Sequence, residues 1–267
     1  MPDIHNISPL LDGFQVGQSF SSHDGVSCYA ALKTDTQERF ILKQLSIPAS
    51  QTQVDALLIT GACKSEDQAR EYFRSVLENT NQDIETLERL AAKPGFTPFT
   101  AWQVQEKKGE VGYDVYMLSP YCASLASRMA KGPITHLEAV NMGLDICAAL
   151  SQCRNAGFLY QDLKPENIYI TPQGRFTIGD LGFLSTDNLA YATIPDRFLG
   201  KFAAPELRDM LSAPNLSIDL YALGMILYHI YNGGAPFHDE SSPEGAETRR
   251  LSGEALPAPI YADYEMA

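Results

Sequence analysis

The apolar residues of this chain change their spacing along its length, and that change limits the fold more than any single residue does. In the front part, apolar positions come in short runs. Val26–Leu32 and Arg39–Leu45 flank the polar turn Lys33–Glu38, so the stretch from Phe14 to Leu45 reads as strands. From about Ser65 to Ala92 the period becomes helical, with Phe73, Leu77, Ile84, Leu87 and Ala91 on one face, and Pro94-Gly95 stops the run. Gln53–Thr60 adds a short helix before it. Phe99–Gln105 and Tyr113–Leu118 return to strand-like runs.

Beyond Thr135 helices dominate. Thr135 and Glu138 form a capping box, because the threonine hydroxyl accepts from a helix-start N–H and the glutamate reaches back to the threonine N–H. That helix runs to Asn155 and ends at Gly157. Two short strands, Asn167–Ile170 and Phe176–Gly179, bracket the turn Pro172-Gln173-Gly174. Ser217–Tyr231 is almost wholly apolar and is expected to be a buried helix closed by Gly233–Pro236. His238–Pro259 is polar, acidic and rich in turn residues, and reads as loop. A strand-rich front with one long helix, followed by a helix-rich back, predicts an α+β chain in two lobes, 1–121 and 122–267.

Composition narrows the partners. A net charge of −13 with a pI near 4.7 argues against nucleic acid and against an anionic membrane surface, both of which require basic patches. The five cysteines include no C-x-x-C pair, which fits a reducing, cytoplasmic setting and disfavours a zinc site. Met1–Phe14 lacks the basic and apolar regions of a signal peptide, and no apolar run is long enough to span a membrane.

The chemistry is concentrated in Tyr160-Gln161-Asp162-Leu163-Lys164-Pro165-Glu166-Asn167 and in Ile178-Gly179-Asp180-Leu181-Gly182. Phosphoryl transfer from ATP needs a carboxylate to orient or accept the proton of the attacking hydroxyl. It also needs a cation for the moving phosphate and oxygen ligands for magnesium. Asp162, Lys164, Asn167 and Asp180 supply these groups on two adjacent short loops. Taken alone, each fragment has an ordinary explanation: a turn, a solvated lysine, a helix cap.

Together these residues resemble the eukaryotic-type protein kinase family over nearly the whole chain, with a small β-rich N-lobe and a helical C-lobe. In that resemblance Asp162 matches the catalytic-loop aspartate, Lys164 the Ser/Thr-branch lysine, and Asn167 and Asp180 the magnesium ligands. Asp180-Leu181-Gly182 replaces the usual Asp-Phe-Gly. Ala204-Pro205-Glu206 matches the Ala-Pro-Glu motif, Asp219 the aspartate that holds the catalytic-loop backbone, and Lys43 the strand lysine on the α- and β-phosphates. ATP and Mg2+ are the cofactors this implies, with a serine or threonine hydroxyl of another protein as acceptor. The oligomeric state is left open.

Several positions depart from the family pattern. Ser21-Ser22-His23-Asp24-Gly25-Val26 stands where the family has G-x-G-x-x-G. Ser21 and Ser22 are the substitute hydroxyl donors, Gly25 is the remaining glycine, and Asp24 adds an unhelpful charge, so weakened ATP affinity is expected. Gln161 replaces the arginine that pairs with a phosphorylated activation loop, although Ser185, Thr186, Tyr191 and Thr193 remain modifiable. Leu199 stands where the Ser/Thr branch has threonine. Asp83 has the best helical register for the partner of Lys43, with Glu78 and Glu85 as alternatives. The long span between Lys43 and that helix leaves room for an extra helix and a partner-binding surface. The adenine hinge falls on Ser119–Cys122, with the Pro120 carbonyl and the Cys122 N–H as contacts. Tyr261–Ala267 reads as the opening of a further helix, so the C-lobe is expected to be truncated and Glu206 to lack its buried partner. A protein kinase is therefore expected, the alternatives being a nucleotide-binding pseudokinase scaffold and a small-molecule kinase.

Overall fold

A computed structural model describes residues 7–23, 25–180, 183–185, 200–208, 215, 217–234, 237 and 242–261. The expectations placed on Asp24, Leu181, Gly182, Thr186, Tyr191, Thr193, Leu199, Pro236 and Ala262–Ala267 lie outside these residues. The chain divides into two compact units. One comprises Met1–Glu88 and Pro98–Tyr121, the other Arg89–Thr97 and Cys122–Ala267.

The first unit is built on a five-stranded antiparallel sheet in the order β1-β2-β3-β5-β4. Its strands are β1 (Phe14–His23), β2 (Val26–Lys33), β3 (Arg39–Ile47), β4 (Ala101–Glu106) and β5 (Tyr113–Pro120). The helix expected between Lys43 and the long helix is present as α1 (Gln51–Ile59), and the long helix is α2 (Glu66–Ala91). Side chains alternate across a strand. Phe40 and Leu42 of β3, with Ala31, Tyr116 and Leu118, therefore close one face over Ile7, Leu10 and Leu11. Lys43 is the next residue after Leu42 and lies on the opposite face, in register with Cys28 of β2 and Met117 of β5.

The second unit holds β6 (Ala123–Ser124), α3 (Leu125–Met129), α4 (His136–Asn155), β7 (Phe158–Tyr160), β8 (Ile168–Ile170), β9 (Phe176–Ile178), β10 (Phe183–Ser185), α5 (Ser217–Asn232) and α6 (Pro243–Leu251). The capping box at Thr135 forms as expected: Glu138 N donates to Thr135 Oγ1 at 3.2 Å, and Thr135 N donates to Glu138 Oε2 at 2.9 Å. The apolar helix α5 buries Ile218, Ala222, Leu223, Met225 and Ile226. Among the described residues no helix is long and apolar enough to cross a membrane.

The reading of His238–Pro259 as loop is corrected by α6. Ser242 caps it by accepting from Gly245 N at 2.9 Å, Pro243 opens it, and Arg249 and Arg250 close its last turn. Among its described side chains Ala246 and Arg250 are the buried ones, so it lacks the apolar stripe that marks a helix in sequence. The short elements β6, α3, β7 and β10 and the 3-10 turn Pro205–Arg208 are likewise too brief to leave a period.

Candidate active site

The loop between β7 and β8 is fixed at both ends by buried polar contacts. At its start, Tyr160 N donates to Asp219 Oδ2 of α5 at 2.9 Å. Burial pushes the Asp219 carboxyl up to about 8, the Tyr160 N–H working in the opposite direction. At its end, Asn167 N closes a turn onto Lys164 O at 2.9 Å, and Pro165 O accepts from Ala126 N of α3 at 3.0 Å. Leu163 anchors the middle of the loop in the interior.

Inside this frame the charged side chains converge on one carboxylate. Lys164 Nζ lies 2.8 Å from both oxygens of Asp162, and Asn167 Nδ2 donates to Asp162 Oδ2 at 2.6 Å and to its carbonyl at 3.0 Å. Asp162 is 9% exposed. Burial raises its carboxyl above the ordinary carboxylate range; Lys164 opposes that rise and Asp180 adds to it by like-charge repulsion. Asp162, Lys164, Asn167 and Asp180, from two adjacent loops, thus share one electrostatic neighbourhood.

The second loop is laced to the first through Gly179. The Tyr160 hydroxyl, fully buried, donates to Gly179 O, and Gly179 N donates to Asn167 O at 3.3 Å. A side chain at Gly179 would meet Thr97 Oγ1 at 2.8 Å, so only glycine fits before Asp180 without a shift. Asp180 itself adopts φ +79°, a left-handed conformation that aspartate tolerates better than most residues. The strand leading to it is pinned from α4. Asp145 accepts from Phe176 N at 2.9 Å and from Arg175 Nε at 2.9 Å and 3.0 Å, with Arg175 Nη2 close by. Burial works against the Asp145 charge, but these hydrogen bonds outweigh it and hold the carboxyl below its usual range. Sequence reasoning missed Asp145, Arg175, Thr97 and the Tyr160 hydroxyl. The available signal was an acidic residue on the buried face of α4, beside Met142 and Ile146.

In the first unit Ser22 and Gly25, expected beside the nucleotide, make contacts within their own hairpin and onto β3 and the residues after it. In the hairpin β1–β2 His23 pairs with Val26. Gly25 takes φ +77° there, its carbonyl accepts from Ser46 N at 2.8 Å, and a Cβ on it would meet Ala49 Cβ at 2.5 Å. Ser22 Oγ lies 2.9 Å from Ser27 Oγ across the hairpin, and Ser21 O accepts from Ser19 Oγ at 2.8 Å. Lys43 is half-buried on β3. On α2, Asp83 is half-buried while Glu78 and Glu85 are exposed, so Asp83 alone of the three turns towards the protein. Pro120 ends β5 opposite Phe40, and the next N–H, that of Tyr121, is taken by Arg39 O at 2.9 Å. Cys122 opens the second unit; burial raises its thiol, which keeps it protonated.

A cavity of about 200 Å³ opens beside Asp162, lined by Gln161, Lys164, Glu166 and the segment Gly200–Ala203. Gln161 is buried, and its Oε1 has no hydrogen-bond partner. Glu206 is not left bare: Ser217 Oγ donates to it at 3.1 Å. Magnesium takes oxygen ligands and completes its shell with phosphate and water. The donor set fits that ion, since tying Asn167 Nδ2 to Asp162 leaves the amide oxygen as ligand and Asp180 adds a carboxylate. Among the described residues no group of three or more His, Cys, Asp or Glu would hold a metal by itself.

Comparison with known proteins points the same way. The protein kinase domain model matches residues 25–254. The chain is similar to serine/threonine-protein kinase kin-29 of Caenorhabditis briggsae, 32% identical over 136 residues, which is 48% of this chain and 16% of that protein. It is 32% identical over 164 residues to sperm motility kinase 3A of Mus musculus, covering 57% and 31% of the two chains. It is 32% identical over 114 residues to the probable serine/threonine-protein kinase PknB of Corynebacterium glutamicum, covering 41% and 18%. The matched stretches thus span between 16% and 31% of these curated relatives.

Proposed function

The chain belongs to the protein kinase family, and on that premise we propose that it transfers the γ-phosphate of ATP, with magnesium, to serine or threonine hydroxyls of proteins. The observation that carries this reading is the convergence of Lys164 and Asn167 on the buried Asp162 carboxylate, 2.6–2.8 Å away, with Asn167 laced to Gly179 beside Asp180.

In this reading an acceptor hydroxyl enters the cavity beside Asp162 and gives up its proton to that carboxylate. Its oxygen forms a bond to the γ-phosphorus as the bond to the bridging oxygen breaks, and ADP leaves. Lys164, now paired with Asp162, offers its charge to the phosphoryl oxygens as they move. Asn167 and Asp180 would hold magnesium, which would neutralise phosphate charge there. The raised carboxyl of Asp162 suits a group that accepts a proton more readily than a solvated aspartate does. Lys43 and Asp83 keep the roles that the family resemblance assigns them, on the phosphates and on the lysine. Pro120 and Cys122 keep the hinge roles.

A second reading, a nucleotide-binding scaffold that does not transfer phosphate, is favoured by one observation. The Ser22 hydroxyl and Gly25 both have contacts within the hairpin or onto Ser46 and Ala49. The test is a thermal-shift titration with ATP and Mg2+ run beside γ-phosphate transfer to a protein acceptor such as casein. The proposed function predicts both stabilisation and transfer. Stabilisation without transfer selects the scaffold, and neither response overturns both readings.

A further inference from the structure

α6, hidden in the sequence, carries a buried arginine that no part of the reaction described above uses. Arg250 is 5% exposed. Its Nη1 donates to Ala203 O at 2.9 Å and to the Tyr221 hydroxyl of α5 at 3.0 Å, and the guanidinium lies over the Tyr221 ring, 5.8 Å from its centre. Its Nη2 makes no hydrogen bond; it lies 3.5 Å from Glu247 Oε1, which also accepts from Arg208 Nη2 at 2.8 Å. Burying a guanidinium is costly unless its donors have acceptors. An apolar residue on this face would dock α6 at lower cost, so packing alone gives a poor account of the arginine.

The group it holds has a distinctive place. Ala203 belongs to the Gly200–Ala203 wall of the cavity that contains Asp162. Lys201 and Phe202 of the same wall also line a second cavity, of about 750 Å³, between α3 and α5. Phe202 is held by an edge-on contact with His229 of α5, ring centres 5.3 Å apart. The wall is short, has no regular secondary structure before Pro205, and is fixed from outside by His229 on one side and Arg250 on the other.

We propose that Arg250 is a positioning residue for the acceptor side of this site: by holding the Ala203 carbonyl it sets the wall that faces Asp162, with Glu247 tying it to Arg208. The proposal rests on the phosphotransfer reading for its kinetic consequence, but not for its structural one.

The test compares the intact chain with Arg250→Met and Arg250→Lys by amide hydrogen exchange and by steady-state transfer to casein. Losing a charged donor to a buried carbonyl should speed exchange across 200–207 about tenfold or more in Arg250→Met. Exchange in the α5 core, Leu223–Ile226, should not change. Arg250→Lys keeps one donor and should recover part of the protection. The acceptor KM should rise several-fold in Arg250→Met with the ATP KM unchanged. Unchanged exchange at 200–207, an equal rise in α5, or an unchanged acceptor KM in an active enzyme would overturn the proposal. If the wild-type chain transfers no phosphate, the phosphotransfer reading fails and the exchange arm alone decides on Arg250.

Discussion

Gly25 and Gly179 each sit where a side chain would strike a neighbour, and each borders residues that the family resemblance assigns to nucleotide chemistry. Their surroundings differ. Around Gly179 the packing serves polar geometry: Tyr160 and Asn167 grip its two peptide groups, and Asp180 follows at once. Around Gly25 the packing serves the hairpin itself, since the carbonyl is spent on Ser46 N and the missing Cβ makes room for Ala49. A glycine next to a binding motif is therefore weak evidence for binding until its contacts are known. A polar network that converges on one buried carboxylate is stronger evidence, because burying such a group uncompensated is costly.

Substitutions break this comparison by different amounts. Asp219→Ala removes the buried acceptor of Tyr160 N and should cost roughly 3 kcal/mol in denaturant unfolding. Asp219→Asn keeps an acceptor and should behave differently with pH. The folded carboxyl titrates near 8, far above its unfolded value, so the native state holds a proton that the unfolded chain has lost. Wild-type stability from this group is thus full in acid and is lost as pH rises towards 8. The asparagine variant cannot titrate, and its stability relative to wild type should improve from pH 5 to pH 8; a constant or worsening difference would contradict the assignment.

Gly25→Ala should cost about 2 kcal/mol through the forced left-handed backbone and the clash with Ala49. The ATP KM of the protein that remains folded should barely move. Gly179→Ala should cost about 2 kcal/mol, because Thr97 Oγ1 and Cβ both stand within 3 Å of the new methyl, but it should reduce transfer more than it reduces stability. An ATP KM that rises sharply in Gly25→Ala would return the hairpin to a direct role. Ser22→Ala, at an exposed cross-strand contact, should change stability by less than about 0.5 kcal/mol and leave the ATP KM within error.

The same contrast explains what was legible beforehand. Asp162, Lys164, Asn167 and Asp180 fall within nineteen residues of sequence, so their spacing, read together with the family resemblance, pointed to them. For the partner of Lys43, helical register favoured Asp83 and left Glu78 and Glu85 as alternatives; Asp83 is half-buried and the other two are exposed. Asp145 and Arg175 are 30 residues apart, and a buried carboxylate paired with an exposed arginine looks in sequence like two solvated charges. Gly25 read as the remaining glycine of a phosphate loop, and its close approach to Ala49, on the far side of β3 in sequence, was not legible. α6 was hidden because the buried ones among its described side chains are an alanine and an arginine, although Ser242-Pro243-Glu244 carried a helix-start signal.

The central claim is that chemistry resides in the loop around Asp162. The most direct measurement is the rate of γ-phosphate transfer to a protein acceptor by Asp162→Asn against wild type, at saturating MgATP, with melting temperatures recorded on the same samples. Asparagine keeps the shape and can still meet Asn167, so the fold should survive while the rate falls about 10²–10⁴-fold. Wild-type turnover in a folded Asp162→Asn protein would contradict the account.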